Sequence, residues 1–163
     1  MISKNELKRN RLLGNLTDEM LDKLASVTDV MTYSNRDTIF RGGDVADYLY
    51  MVKKGKVLLE QRISGKVTVS VSSIPQGHSF GWGAILGEAL YSLDAICVEA
   101  CEVYVINGET LRTLMAEDHE MGYLIMRQFI LVVKSRLDRR TDQFLRVMAS
   151  HPDIHEFTAV ENG

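Results

Sequence analysis

The sequence predicts a mainly β fold with helices at both ends, and the texture of three successive sections supports this. From about Val30 to Ile106, short runs rich in β-forming residues are separated by Gly, Asn and Asp, with no helical pattern between them. Strands at this spacing favour an antiparallel barrel or sandwich. Helical periodicity precedes this region and returns after it. The 163 residues suit one domain.

The N-terminal section is predicted to be helical. Residues 1–14 form an arm in which KNELKRNRLLGN holds a turn or two of helix and ends at Gly14. Thr17 is the predicted N-cap of a second helix, LTDEMLDKLASV, because its hydroxyl can accept a hydrogen bond from the first turn. The predicted β domain, with one helix leading into it and one leading out, spans residues 15–117.

Turn residues divide the β region into strands. Residues 42–44 (Gly-Gly-Asp) indicate one turn, and residues 64–65 (Ser-Gly) indicate a hairpin between a strand at 57–62 and the segment KVTVSVSSI. That segment alternates apolar and polar residues, as expected of a half-buried strand, and Pro75 follows it. ICVEACEVYVI is predicted to be another long strand.

A long helix is predicted over residues 118–150, ahead of a polar tail at 151–163. Its first half is apolar on nearly every side, so more than one face must be covered. Apolar residues recur every seven positions, which is typical of a coiled-coil seam and predicts a homodimer. The alternative is a helix packed against its own β domain. The predicted interface residues are Tyr123, Met126, Ile130, Val133, Leu137 and Phe144.

Five pieces of the sequence resemble, in order, the cyclic-nucleotide-binding domain, the ligand module of catabolite-activator-type regulators and of regulatory subunits of cAMP-dependent kinase. They are LTDEMLDKLA, TIFRGGDVADYLYMVKKGKVLL, SSIPQGHSFG, VYVINGETLRTLMAED and the long helix. The resemblance covers roughly residues 15–150. It implies a double-stranded β-helix, or jelly-roll, barrel with N-terminal helices and a long C-terminal dimerisation helix.

The family's phosphate-binding cassette reads Phe-Gly-Glu, a short helix, and then Arg before a small residue. Phe80 and Gly81 match it, but Trp82 stands in the place of the ribose-binding Glu. With Ala95 as the small residue, Asp94 stands in the place of the phosphate-binding Arg, and no cation occurs between positions 66 and 112.

These two departures argue against the usual ligand. Loss of a charged hydrogen bond costs about 1.5–3 kcal/mol. A carboxylate about 4 Å from a phosphate adds about 1–4 kcal/mol of repulsion. We therefore expect that cAMP and cGMP do not bind at physiological concentrations.

The sequence leaves two interpretations of Trp82 open. The indole either fills an empty pocket as part of the core or forms a stacking platform for a planar or apolar ligand. In the second case, polar residues of the same segment would suit a neutral or cationic ligand. The candidate pocket residues are Phe80, Gly81, Trp82, Gly83, Ala84, Glu88, Tyr91, Ser92, Asp94 and Ala95.

Other chemistries find little support in the sequence. No nucleophile loop or phosphate loop accompanies a suitable base, so no catalytic residue and no enzymatic activity is predicted. The four His residues are scattered, and Cys97 and Cys101 lack companion ligands, so no metal, haem or other cofactor is expected. The two thiols are predicted to be ordinary buried cysteines, with a redox role as the alternative.

Charge and hydropathy bear on partners and location. The net charge is −3, and the tail is too short and too polar to form a DNA-binding domain, so DNA is not an expected partner. No apolar run approaches the roughly 20 residues of a membrane span. The N-terminus, MISKNELKRN, lacks an apolar signal core, so we expect a cytoplasmic protein with no membrane partner.

The sequence therefore predicts a stand-alone regulatory or sensor module of this fold that does not bind cAMP or cGMP in the usual way. Its expected partners are an unidentified small molecule, a second copy of the chain and a further protein. One alternative is a structural or interaction adaptor with a plugged pocket. The other is a genuine cAMP receptor in signal transduction.

Overall fold

The computed structural model describes residues 2–87 and 90–151. They divide into two compact units, one up to Met126 and one from Arg127 onward, and each is described by itself. Within these residues, no helix combines the length and apolar character needed to cross a bilayer.

The described residues form five helices and eight strands. The helices are α1 (Lys4–Leu7), α2 (Asp18–Ser26), α3 (Gly83–Leu86), α4 (Gly108–Glu117) and α5 (His119–Ala149). The strands are β1 (Thr28–Tyr33), β2 (Thr38–Phe40), β3 (Tyr48–Lys54), β4 (Lys56–Ser64), β5 (Val67–Pro75), β6 (Ser79–Phe80), β7 (Asp94–Cys97) and β8 (Cys101–Asn107).

Side-chain caps begin the N-terminal helices. The Thr17 hydroxyl accepts a hydrogen bond from the Met20 amide at 3.3 Å, as the sequence predicts. Ser3 and Glu6 cap α1 reciprocally. The Ser3 side chain accepts a hydrogen bond from the Glu6 backbone amide, and the Glu6 side chain accepts one from the Ser3 backbone amide. These caps satisfy amide groups that have no partner inside the helix.

The strands form two four-stranded sheets in which every pairing is antiparallel. One sheet has the order β1-β8-β3-β6 and the other β2-β7-β4-β5. Val52 and Val103 of the first sheet and Val57 and Ala95 of the second belong to one buried core. The predicted mainly β fold with flanking helices is confirmed; the pairings of the described residues form two sheets rather than one closed barrel.

The prediction of one long strand at ICVEACEVYVI is wrong. The chain crosses there from one sheet to the other, because β7 pairs with β4 whereas β8 pairs with β1 and β3. Cys97 and Cys101 are both buried on either side of the crossing. Their spacing of four residues preserves the alternation of a strand, so periodicity could not reveal the break.

The β4–β5 hairpin is more exposed than predicted. KVTVSVSSI was expected to be half-buried, yet Val67 is 49% exposed and Val69 is 43% exposed. The reason is that β7 pairs with residues 57–60 of β4, so no further strand of the described residues lies beside the outer part of the hairpin. Ile74, near the base of the hairpin, is fully buried.

The second unit contains the part of α5 that starts at Arg127. Three positions of the predicted seam remain strongly exposed there, since Ile130, Leu137 and Phe144 are each more than 60% accessible. In the first unit, Tyr123 of the same seam is 66% exposed. The homodimer itself stays a prediction.

Candidate functional site

The cassette begins at β6 and turns sharply at Gly81. This glycine has a φ of +77°, and a Cβ atom there would lie 2.9 Å from the Tyr48 carbonyl oxygen and 3.0 Å from the Tyr50 ring. Both the conformation and the space therefore require glycine. The turn starts α3, which ends at Gly87, again with a positive φ.

Trp82 does not lie in the interior core. Its side chain is half-buried, and its Nε1 atom donates a hydrogen bond to the Ser79 hydroxyl at 3.4 Å. Ser79 itself is 3% exposed. The indole is thus partly exposed, and its polar atom is paired with the neighbouring strand β6.

Four aromatic rings fill the interior beneath the cassette. Tyr91 stacks on Phe40 with 3.8 Å between ring centroids, and Tyr50 stacks on Phe80 at 5.2 Å. All four side chains are at most 6% exposed. The cassette therefore inserts one of its own residues, Tyr91, between the sheets.

The Tyr91 hydroxyl is fixed by the backbone of β3. It accepts a hydrogen bond from the Tyr48 amide at 3.0 Å and donates one to the Tyr48 carbonyl oxygen at 2.7 Å. Burial raises the pKa of Tyr91 and of Tyr50, so both phenols stay protonated at neutral pH. A neutral hydroxyl can donate and accept at once, which this contact requires.

Asp94 forms a contact inside the protein. Its Oδ1 atom accepts a hydrogen bond from the Gly42 amide at 2.7 Å, which ties β7 to the loop after β2. The side chain is half-buried, whereas the next residue, Ala95, is fully buried.

Tertiary structure brings cations to the cassette from outside it. Arg41 and Arg62 line an open pocket of about 320 Å³ together with Ser92, Asp94 and Glu60. Sequence reasoning missed these two arginines because they lie about 30–50 positions before Asp94. The pairing of Glu60 with Asp94 across β4 and β7 is what places Arg62 nearby.

A third cation, Arg112, contacts the backbone of α3. The Arg112 guanidinium, from α4, donates a hydrogen bond to the Ala84 carbonyl oxygen. Beside it, a Cβ atom on Gly108 would lie 2.6 Å from the same oxygen, so glycine is needed for the two helices to approach. Charge-assisted bonds to a free carbonyl stabilise a helix end.

The structure separates the candidate pocket residues into different environments. Phe80 and Tyr91 belong to the same buried core, and Ala84 and Ala95 are buried. Gly81, Trp82 and Gly83 form the half-buried turn. Ser92 and Asp94 line the open pocket. Glu88 lies outside the described residues.

Sequence reasoning also missed two residues of the aromatic cluster. Phe40 ends β2 and Tyr50 lies in the middle of β3, both far from the cassette in sequence. A signal was available, because YLYMV is a continuous apolar run, which is typical of a strand buried on both faces.

The two cysteines are free and buried. Burial, together with a hydrogen bond to Cys101, raises the pKa of the Cys97 thiol to about 12. The Cys101 thiol donates to the Lys56 and Glu99 carbonyl oxygens, each at 3.3 Å. In the described part of the chain, no group of three or more His, Cys, Asp or Glu side chains could hold a metal ion.

Comparison with known proteins identifies the family to which this fold belongs. The family model of the cyclic nucleotide-binding domain matches residues 30–118, more than half of the chain. The chain belongs to this family. The jelly-roll fold implied by the resemblance of the sequence is thereby confirmed.

Two relatives show how far the similarity of this cyclic nucleotide-binding domain extends. The cGMP-dependent protein kinase egl-4 of Caenorhabditis briggsae is 28% identical over 115 residues, which is 69% of this chain and 15% of the kinase. The cyclic AMP receptor protein of Thermus thermophilus is 28% identical over 126 residues, which is 75% of this chain and 58% of that protein. The chain thus spans a small part of the kinase and little more than half of the receptor.

Solved structures agree with the fold of the domain. The catabolite activator protein of Thermus thermophilus gives a TM-score of 0.70 at 26% identity, covering 86% of this chain and 63% of that one. A c-di-GMP-responsive global regulator of Xanthomonas campestris, linked to virulence gene expression, gives 0.73 at 19% identity, covering 83% and 66%. Catabolite-activator-type regulators share this fold. The fold therefore gives no support to the expectation that DNA is not a partner of this chain.

Proposed function

We propose that this chain is a non-catalytic regulatory module of the cyclic nucleotide-binding family whose ligand pocket is closed by its own side chains. The observation that carries the proposal is the insertion of Tyr91 from the cassette into the interior, stacked on Phe40. A ligand that entered there would have to displace a ring that also holds the backbone of Tyr48.

The polar groups of the cassette support the same function. Asp94 stands where the family resemblance places a phosphate-binding Arg, and its carboxylate is already bonded to the Gly42 amide. The Trp82 side chain, in the place of the ribose-binding Glu, is bonded to Ser79. Neither residue offers a cyclic nucleotide the interaction that the usual residue would supply.

With a closed pocket, the module would act through protein contacts. Its output surface in this proposal is the exposed apolar seam of α5, which would join two copies of the chain or a further protein. This is the adaptor function, and the filled interior favours it over a small-molecule sensor.

A cyclic-nucleotide receptor is the second candidate, and one observation favours it. Arg41 and Arg62 line the open pocket beside Asp94 and could pair with a phosphate in place of the missing Arg. The two carboxylates of the same pocket, Glu60 and Asp94, oppose this by repulsion.

A calorimetric titration of the full chain with cAMP and with cGMP tests the proposal. We expect no saturable binding below millimolar concentrations, because the interior is filled and the cassette lacks a cation. Micromolar binding by the wild-type chain would contradict it. If such binding disappears in Arg62→Gln but persists in Lys66→Gln, which removes the same charge from the neighbouring hairpin turn, the second candidate is correct.

A further inference from the structure

The second sheet ends at β5, which pairs with β4 on one side. No strand of the described residues lies on its other side, which we call the β5 edge. Successive residues of a strand point their backbone N–H and C=O groups to opposite sides, so half of these groups face the β5 edge. Residues 67–70, the outer part of this strand, are all exposed. The β5 edge therefore offers donors and acceptors for a further strand.

The sequence of β5 lacks the usual protection of an edge strand. Natural edge strands are often short or carry charged side chains, and both features hinder pairing with another chain. β5 reads VTVSVSSIP, which is nine residues long, has no charged residue and has its one Pro at the end. The extra residue that β5 inserts at a register shift is Val71. Residues 67–70 thus remain a regular, neutral run.

The other three sheet edges are less suited to accept a strand. β2 has three residues and β6 has two, which is too short for a ladder of several hydrogen bonds. β1 has six residues but carries Asp29, so self-pairing of β1 would bring two like charges together. β5 is therefore the edge where pairing with another chain meets the least opposition.

The side chains of residues 67–70 match a second copy of the same strand. Val67 and Val69 lie on one face of β5, whereas Thr68 and Ser70 lie on the other, because successive side chains alternate. Residues opposite each other in an antiparallel pair share a face, so self-pairing brings Val against Val and Thr against Thr or Ser. Strands of other proteins are selected by pockets or charges, whereas this run presents only small, neutral side chains.

We propose that two copies of this chain associate through the β5 edge, with residues 67–70 of the two copies paired antiparallel across a twofold axis. The pairing joins the two four-stranded sheets that end at β5 into one continuous sheet. It covers Val67 and Val69, which are 49% and 43% exposed in one chain. A twofold contact of this kind buries the same surface on both copies. It is separate from the α5 seam.

The test uses the full chain carrying Leu137→Glu, so that contacts through the α5 seam do not contribute. Leu137 is 62% exposed, so this chain should fold. Sedimentation equilibrium should show a reversible monomer–dimer equilibrium. Hydrogen exchange followed by NMR should show that alternate amides within residues 67–70 exchange more slowly as the protein concentration rises. This protection is specific to strand pairing, because contact between side chains alone does not bond the amides.

Val69→Lys in the same background should weaken the dimer by about tenfold, because the symmetric contact loses Val–Val pairing and gains a charge on each copy. Ile63→Lys is the matched control. It adds the same charge to an exposed residue of the same hairpin, but on β4 rather than on the β5 edge, and should leave the equilibrium unchanged. Both residues are exposed, so both variants should fold.

Three results would overturn the proposal. The Leu137→Glu chain could stay monomeric at about 1 mM, which is also the result expected if β5 accepts a strand of a different protein. Residues 67–70 could gain no protection with concentration, or Ile63→Lys could weaken the dimer as much as Val69→Lys. A failure of the α5 seam is recognised separately, because wild type and Leu137→Glu would then give the same equilibrium.

Discussion

At the residue scale, Tyr91 contributes to the fold through two different groups, its ring and its hydroxyl. Its ring fills the interior against Phe40, and its hydroxyl pairs with both backbone groups of Tyr48. The ring contributes through burial of apolar surface, and the hydroxyl contributes by satisfying backbone groups that would otherwise lack a partner there.

Tyr91→Phe separates these contributions. It keeps the ring and removes the hydroxyl, so we expect the free energy of unfolding to fall by about 1–3 kcal/mol. Tyr48→Phe is the control, because the Tyr48 ring is 42% exposed and its backbone bonds to Tyr91 are retained. Urea denaturation measures both; equal stability of Tyr91→Phe and wild type would contradict the assigned role.

The cysteines provide a second prediction at this scale. Cys97 and Cys101 should react slowly with a thiol reagent in the folded protein, since both are at most 2% exposed. Raising the pH from neutral to about 9 should not deprotonate the Cys97 thiol, because its pKa is about 12. If the thiols react as fast in the folded protein as in the urea-unfolded chain, they are accessible, and a redox role of the two cysteines is then favoured.

At the element scale, the short helix α3 depends on α4. Its four residues cannot be stable alone, because a single turn lacks the internal bonds that offset the ordering of the backbone. Arg112 bonds its Ala84 carbonyl oxygen, and Gly108 permits the close approach. The cassette is therefore positioned by a helix that follows β8.

Arg112→Gln should loosen the cassette. Loss of a charged hydrogen bond of about 1.5–3 kcal/mol should speed amide exchange at residues 85–87 by about tenfold to a hundredfold. Lys66→Gln, an equal loss of charge on the β4–β5 hairpin, should leave these amides unchanged. Hydrogen exchange followed by NMR measures both variants; identical rates in Arg112→Gln and wild type would exclude the proposed support.

At the scale of the whole molecule, the exposed seam of α5 leaves large apolar side chains facing solvent in one chain. Such a stripe is a liability in a monomer and is typical of an interface. The heptad spacing of Ile130, Leu137 and Phe144 favours a second copy of the same helix as the partner.

Leu137→Glu should dissociate the predicted dimer. Each copy loses a leucine whose burial contributes about 1.5–3 kcal/mol, so association should weaken by about a hundredfold or more. Ser135→Glu adds the same charge at an exposed position outside the heptad seam and should leave association intact. Sedimentation equilibrium distinguishes the two; a monomeric wild type at high concentration would refute the seam.

Patterns among neighbouring residues are enough to predict the class of the fold and the positions of its local features. Thr17 as a cap, the turns at glycine, and the long final helix follow from rules that act between neighbouring residues. The five ordered resemblances placed the family for the same reason, since each is a local pattern.

What fills the pocket depends on contacts between residues that are far apart in the sequence. Tyr91 meets Tyr48 across 43 positions of sequence, and Asp94 meets Gly42 across 52. The crossing of the chain between β7 and β8 could not be predicted from periodicity either, because Cys97 and Cys101 keep the alternation of one strand. Contacts between distant residues are set by the packing of the two sheets, and no local periodicity encodes which side chains meet there.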